Sequence, residues 1–204
     1  WNLAPGTLVD KPGVTVVEVM KAIDQGQIRG MYVMGENPAM SDPDANHARH
    51  ALASLDLLVV QDIFLTETAY LADVILPASA FPEKDGTFTN TDRLVQMGRK
   101  AIEPPGEARQ DLWIIEQIAH RLGLDWNYNH VSEVFDEMRH TMPSIGGITW
   151  DRLQHEHAVT YPCRAEGDPG ESVVFVDDFP REDGKARFVP ADIIPADEKP
   201  DAEY

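Results

Sequence analysis

A chain of 204 residues can bury one or two cores, and 35 acidic against 17 basic residues leave a formal net charge of −18. That charge repels a phosphate backbone and argues against a nucleic-acid partner. No apolar run approaches the roughly 20 residues of a membrane helix, and Cys163, the only cysteine, supports neither a disulfide framework nor a cluster, so a cytoplasmic setting is expected.

The chain opens on Trp1 and stops at Tyr204 without an obvious terminal element, so it reads as a piece of something longer. Residues 1–14, rich in Gly and Pro, read as a connection. Thr15 and Glu18 form a capping box, and Val16, Val19, Met20 and Ile23 follow helical spacing up to a stop at Gly26. The apolar run 31–34 predicts a buried strand, which leads into the turn Gly35-Glu36-Asn37-Pro38. Glycine lets a backbone approach a ligand closely, while Glu36 and Asn37 bring hydrogen-bonding groups to the strand's end.

Asp42 and Pro43 predict the start of a second helix, with Asp42 as its cap and Ala48, Ala51, Leu52 and Leu55 on its apolar face. His47 and His50 lie three apart on it; with no third ligand evident nearby, they read as surface histidines. Leu57 to Val60 predict a uniformly apolar central strand followed by Gln61-Asp62. An acid in that position accepts hydrogen bonds from a ribose or a base, or else caps the turn that follows. Thr66–Ala72 reads as a short helix, Asp73–Pro77 as a third strand, and Pro82–Arg93 as a long polar loop of the kind that carries function.

Leu94–Lys100 predicts a further strand. From Asp111, at a cap position, a helix follows with Leu112, Ile115, Ala119 and Leu122 on one face and Gly123 as its stop. A shorter helix covers Ser132–His140. Beyond Thr141 the chain reads as irregular, with Cys163 as a small packing residue and Lys185–Pro190 as an isolated strand. The fold class expected is α/β: an open, mostly parallel Rossmann-like sheet with flanking helices, followed by an irregular extension.

Taken together, MGENPAMSDPDANHAR, VVQDIFLTETAYLADVILPASAFPEKDGTFTNTDRLVQ, EARQDLWIIEQIA, YPCR and GKARFVPADIIPADE resemble the molybdopterin oxidoreductases, among them the formate dehydrogenase catalytic subunits. The resemblance covers nearly all of the chain. It implies a larger multidomain subunit around molybdenum or tungsten held by two molybdopterin guanine dinucleotides. Residues 1–30 would then enter the domain, 31–125 would form the α/β part that binds the nucleotide end of one dinucleotide, and 126–204 would form a helical and irregular extension.

Position by position, Asn37, Gln61, Asp62, Lys84 and Asp111 match the family's cofactor-binding positions, with Gly35, Glu36, Thr66 and Asn90 as further candidates from the same loops. A carboxylate such as Asp62 or Asp111 suits the N–H donors of guanine, and Lys84 suits a pyrophosphate or a pterin oxygen, although without the resemblance it would read as a surface lysine. No metal ligand, catalytic residue or 4Fe-4S motif is recognisable in this stretch, so by itself it is expected to be inactive. The resemblance further implies formate as substrate, with electrons passed through iron–sulfur and flavin-bearing subunits to NAD. Alternatives are a nitrate or other oxyanion reductase of the same superfamily, or a cofactor-free structural or nucleotide-binding module of a respiratory complex. An NAD-binding dehydrogenase proper fits less well, because the first turn lacks Gly-x-Gly-x-x-Gly.

Overall fold

Thr15 opens the first helix as its sequence dictates. In the computed structural model, which describes residues 1 and 3–194, its hydroxyl caps the Glu18 N–H, and Glu18 returns a bond to the Thr15 N–H at 2.7 Å. Helix α1 (Val16–Asp24) buries Met20, Ala22 and Ile23. Strand β1 (Gly30–Met34) follows, and β2 (Leu57–Asp62) and β3 (Val74–Pro77) pair with it in parallel in the order β1-β2-β3. Register between β2 and β3 is pinned at both backbone groups of one residue. The Leu58 N–H donates to the Asp73 carboxylate at 2.7 Å, and the Leu58 carbonyl accepts from the Asp73 N–H at 2.9 Å.

The expected helix from Asp42 is corrected. Pro38, pre-set for a first helical turn, begins a four-residue helix α2 (Pro38–Ser41), which Asp42 terminates. The next helix, α3 (Ala45–Ala53), is capped by Asp44, whose Oδ1 accepts from the His47 N–H at 3.0 Å. Thr66–Ala72 is likewise shorter than read: only a 3-10 turn, Ala69–Leu71, forms there.

The chain divides into two compact units. Among the described residues, one comprises 3–80, 104–118 and Ile194; the other comprises Trp1, Phe81–Glu103 and Ala119–Ile193. The first is built on the parallel sheet, with a core of Met20, Ile23, Val33, Ala39, Ala48, Ala51, Leu52, Leu58, Val60 and Ala69. Full burial of side chains such as Leu52 and Leu58 contributes about 2 kcal/mol each. After β3 the segment before helix α4 (Asp111–Arg121) runs alongside the sheet: Ala78 bridges Arg109 in parallel, and the Ser79 N–H donates to the Arg109 carbonyl at 2.9 Å. On α4, Ile114 and Ala119 are buried, whereas Leu122, placed by spacing on the apolar face, lies just past the end of the helix and is exposed.

The second unit holds an antiparallel sheet in the order β4-β5-β6. Its strand β4 (Gly86–Thr89) lies within the stretch read as a polar loop, paired with β5 (Leu94–Gly98). Helix α5 (Val131–Thr141) falls where expected. Beyond Thr141 the irregular reading is overturned, because helix α6 (Trp150–Glu156) and strand β6 (Ala158–Thr160) form there. Ile145, Ile148, Leu153, Val159 and Cys163 join Val95 and Phe135 in a second core. Cys163 is thus a packing residue, and burial pushes its thiol up, with the Arg152 guanidinium pulling the other way. No strand forms at Lys185–Pro190, which has no ladder partner. Among the described residues no helix is long and apolar enough to cross a membrane.

Candidate cofactor-binding site

Parallel pairing brings the C-terminal ends of β1, β2 and β3 to one edge of the sheet, where an open α/β sheet receives ligands. At the end of β1, Gly35 adopts φ +64°, a left-handed conformation that favours glycine, and its N–H donates to the Gln61 carbonyl at 2.9 Å. A side chain added there would meet nothing within 4 Å, so the space above this turn is open. Glu36 follows as an exposed carboxylate.

Asn37 works as a clamp. Its Oδ1 accepts from the Thr68 N–H at 3.1 Å and the Thr68 hydroxyl at 2.8 Å, and its Nδ2 donates to Glu67 at 2.7 Å. The Thr68 hydroxyl in turn accepts from the Ala39 N–H at 3.0 Å. The turn after β1 is therefore tied to the segment after β2. This donation from Asn37 holds the Glu67 carboxyl below the usual glutamate range. Thr66 serves the same segment locally, accepting from the Ala69 N–H at 3.2 Å.

The end of β2 carries the two remaining strand-end groups. Asp62 uses Oδ1 for the turn, accepting from the Ile63 N–H at 2.6 Å and the Phe64 N–H at 3.4 Å. Its Oδ2 is left to accept from elsewhere. The capping alternative therefore describes one oxygen of this carboxylate. Ile63, Phe64 and Leu65 beyond it are exposed apolar side chains. Gln61 is fully buried; its Nε2 donates to Asp111 Oδ1 at 2.6 Å and its Oε1 accepts from the Tyr32 hydroxyl. Asp111, on the first turn of α4, is thereby brought beside the end of β2 from 50 residues away.

Of the nine candidate positions, Gly35, Glu36, Asn37, Gln61, Asp62, Thr66 and Asp111 lie in the parallel-sheet unit, and Lys84 and Asn90 in the antiparallel one. Lys84 is half-buried between the 3-10 turn Phe81–Glu83 and β4. Asn90 shapes the β4–β5 turn, its N–H donating to the Leu94 carbonyl at 3.1 Å and its Oδ1 accepting from Gln96 at 2.8 Å. Sequence reasoning missed Tyr32, Glu67 and Thr68, whose partners lie about thirty positions away. His47 pairs with Asp24, and among the described residues no group of three or more His, Cys, Asp or Glu is placed to hold a metal ion.

The sequence matches the molybdopterin oxidoreductase family over residues 3–121, more than half its length. The chain belongs to that family. It is 46% identical over 194 residues, 94% of its length, to the F420-dependent formate dehydrogenase subunit alpha of Methanocaldococcus jannaschii, of which it spans 28%. It is 42% identical over 192 residues to a putative formate dehydrogenase of Bacillus subtilis, of which it spans 19%. Acetylene hydratase from Pelobacter acetylenicus shares the fold over 71% of this chain and 20% of that one, with a TM-score of 0.59 at 23% identity.

This family name implies a molybdopterin cofactor, and the parallel-sheet unit presents acceptors to a ligand of that kind. Glu36, Asp62, Glu67 and Asp111 are acceptors gathered in one unit, and an exposed apolar stretch follows Asp62. A flat base with N–H donors matches such a set, whereas a pyrophosphate would be repelled by it.

Proposed function

We propose that this chain is the part of a formate dehydrogenase catalytic subunit that seats the guanine end of a molybdopterin guanine dinucleotide, with residues 31–125 as the binding part. The observation that carries this reading is a pair of carboxylates at the end of β2: Asp62, its last residue, held by the backbone N–H groups of the turn that follows, and Asp111, brought there from the first turn of α4 by its bond from Gln61. Asp62 Oδ2 and the Asp111 carboxylate accept from the base, Gln61 and Asn37 fix the loops that present them, and the Gly35 turn gives the ligand room. Lys84, in the other unit, is a separate candidate for a phosphate or pterin oxygen, on the family resemblance.

When bound, the molybdenum or tungsten bis-dinucleotide cofactor supplies the oxidation of formate to carbon dioxide, with two electrons and one proton released. The protein's share is to bind and orient it. The electrons pass through a 4Fe-4S cluster and partner subunits in the cytoplasm to NAD. A second acceptor is favoured by a specific observation: the Methanocaldococcus relative at 46% identity is named F420-dependent.

The test uses the full-length subunit in its native complex with the electron-transfer subunits. Acid hydrolysis should release about two GMP per molybdenum or tungsten, and Asp62→Ala should lower that yield while the purified protein reduces NAD or F420 with formate. Unchanged GMP in Asp62→Ala would remove Asp62 from the site. A subunit with neither metal nor GMP would favour the cofactor-free module, and reduction of nitrate in place of formate oxidation would favour the oxyanion reductase.

A further inference from the structure

The bonds around Gln61 can run in only one direction. The Asp111 carboxylate only accepts, so Gln61 must present its Nε2–H to it. The amide is planar, so Oε1 then faces Tyr32 and the Tyr32 hydroxyl must donate. Burial, reinforced by the charge of Asp111, pushes the Tyr32 hydroxyl up from its ordinary range, so it stays a donor across the neutral range. Gln61 itself is fully buried, while Tyr32, whose hydroxyl meets it, is 41% exposed.

We propose that Tyr32 is a positioning residue for base selection: by donating to Gln61 it locks the amide that holds Asp111 Oδ1, and so fixes the carboxylate that discriminates guanine. This rests on the reading of Asp111 as a base acceptor. Without the hydroxyl, Oε1 loses its donor and the amide is held only through the bond from Nε2 to Asp111, so the carboxylate is less firmly placed. A hydroxyl on an edge strand thus acts on the base through two intermediates, Gln61 and Asp111. Such a role predicts loss of discrimination rather than a uniform loss of binding.

The experiment compares GMP with IMP, which lacks the exocyclic amino group, as ligands of the full-length subunit prepared without cofactor, by titration calorimetry. Wild type should prefer GMP by about tenfold or more, the worth of one charge-assisted hydrogen bond. Tyr32→Phe should bring that preference close to unity by weakening GMP alone. In a Gln61→Met background, itself stripped of the preference, Tyr32→Phe should change nothing further.

Equal weakening of GMP and IMP in Tyr32→Phe, an intact preference, or an added loss in the Gln61→Met background would each overturn the proposal. Asp111→Asn separates it from the reading beneath it. If Asp111→Asn erases the preference and Tyr32→Phe does not, only the role of Tyr32 falls. If Asp111→Asn keeps the preference, or wild type binds no GMP, the base assignment fails and this proposal with it. Thermal unfolding of each variant shows whether its fold is intact, and the paired backgrounds decide the matter even where Tyr32→Phe lowers stability.

Discussion

In the parallel-sheet unit, amide, hydroxyl and carboxylate side chains distant in sequence bond one another where the strands end, whereas in the antiparallel unit several arginines reach backbone oxygens far along the chain. Asn37 meets Thr68 and Glu67, Tyr32 meets Gln61, and Gln61 meets Asp111, all where parallel strands end. In the other unit Arg93 donates to the carbonyls of Tyr161, Glu171 and Ser172 at 2.8, 3.0 and 2.9 Å. Arg152 there donates to the Asp168 carbonyl at 2.8 Å and to Cys163 Sγ at 3.2 Å. An arginine fork that satisfies carbonyls no ladder reaches holds a loop in place. A chain of amides and carboxylates fixes where other side chains point, which matters only if they point at something.

That contrast is most exposed at Arg152. Its side chain is 15% exposed, and besides the Asp168 carbonyl it binds Glu156 at 2.9 Å. Arg152→Met strips several partly buried acceptors at once and should destabilise the protein by about 3 kcal/mol, read as a lower thermal midpoint. GMP affinity of the folded fraction should not change. Asn37→Ala is the opposite case: it should cost about 2 kcal/mol, since the Thr68 N–H and hydroxyl lose their acceptor, and it should also weaken GMP binding severalfold because the Gly35 turn is released. If Arg152→Met weakened GMP as much as Asn37→Ala does, the division between scaffold and site would not stand.

The parallel-sheet unit was largely legible in sequence because its signals are local. A capping box, a short apolar strand and a uniformly apolar central strand each fit within a few residues, and Gln61-Asp62 followed directly from the end of β2. Asp42 and Asp44 could not be separated in this way: two acids flank one proline, and only the chain's path, turned by α2, decides which one caps α3. The partners of Asn37 and Gln61 were out of reach because they are 31 and 50 residues away. Strand β4 was hidden inside a polar loop because pairing with β5, not its own composition, makes it a strand. The second core was missed for a related reason: α6 has seven residues and β6 three, too short for periodicity to show.

The smallest expected effect lies in acid. Glu67 accepts from Asn37, first among the causes that hold its carboxyl below the usual range, while Asp168 is held down chiefly by the Gly170 N–H at 2.9 Å and then by the Arg164 N–H at 3.1 Å. For a carboxyl lowered on folding, the unfolded chain binds more protons as pH falls, so its stabilisation is complete above the unfolded value and is lost as pH drops through the folded one. Both groups therefore weaken the fold in acid, but only Glu67 depends on Asn37. In Asn37→Ala the largest part of the Glu67 contribution is gone, leaving its own backbone N–H and the charge of Arg49, so the gap in thermal midpoint between wild type and variant should narrow as pH is lowered from about 6 to about 3. The Asp168 contribution, in the other unit, should be lost equally from both proteins and cancel from that gap. A gap that widens in acid would mean that Asn37 does not hold Glu67 in its charged form, and the clamp would reduce to its bonds with Thr68.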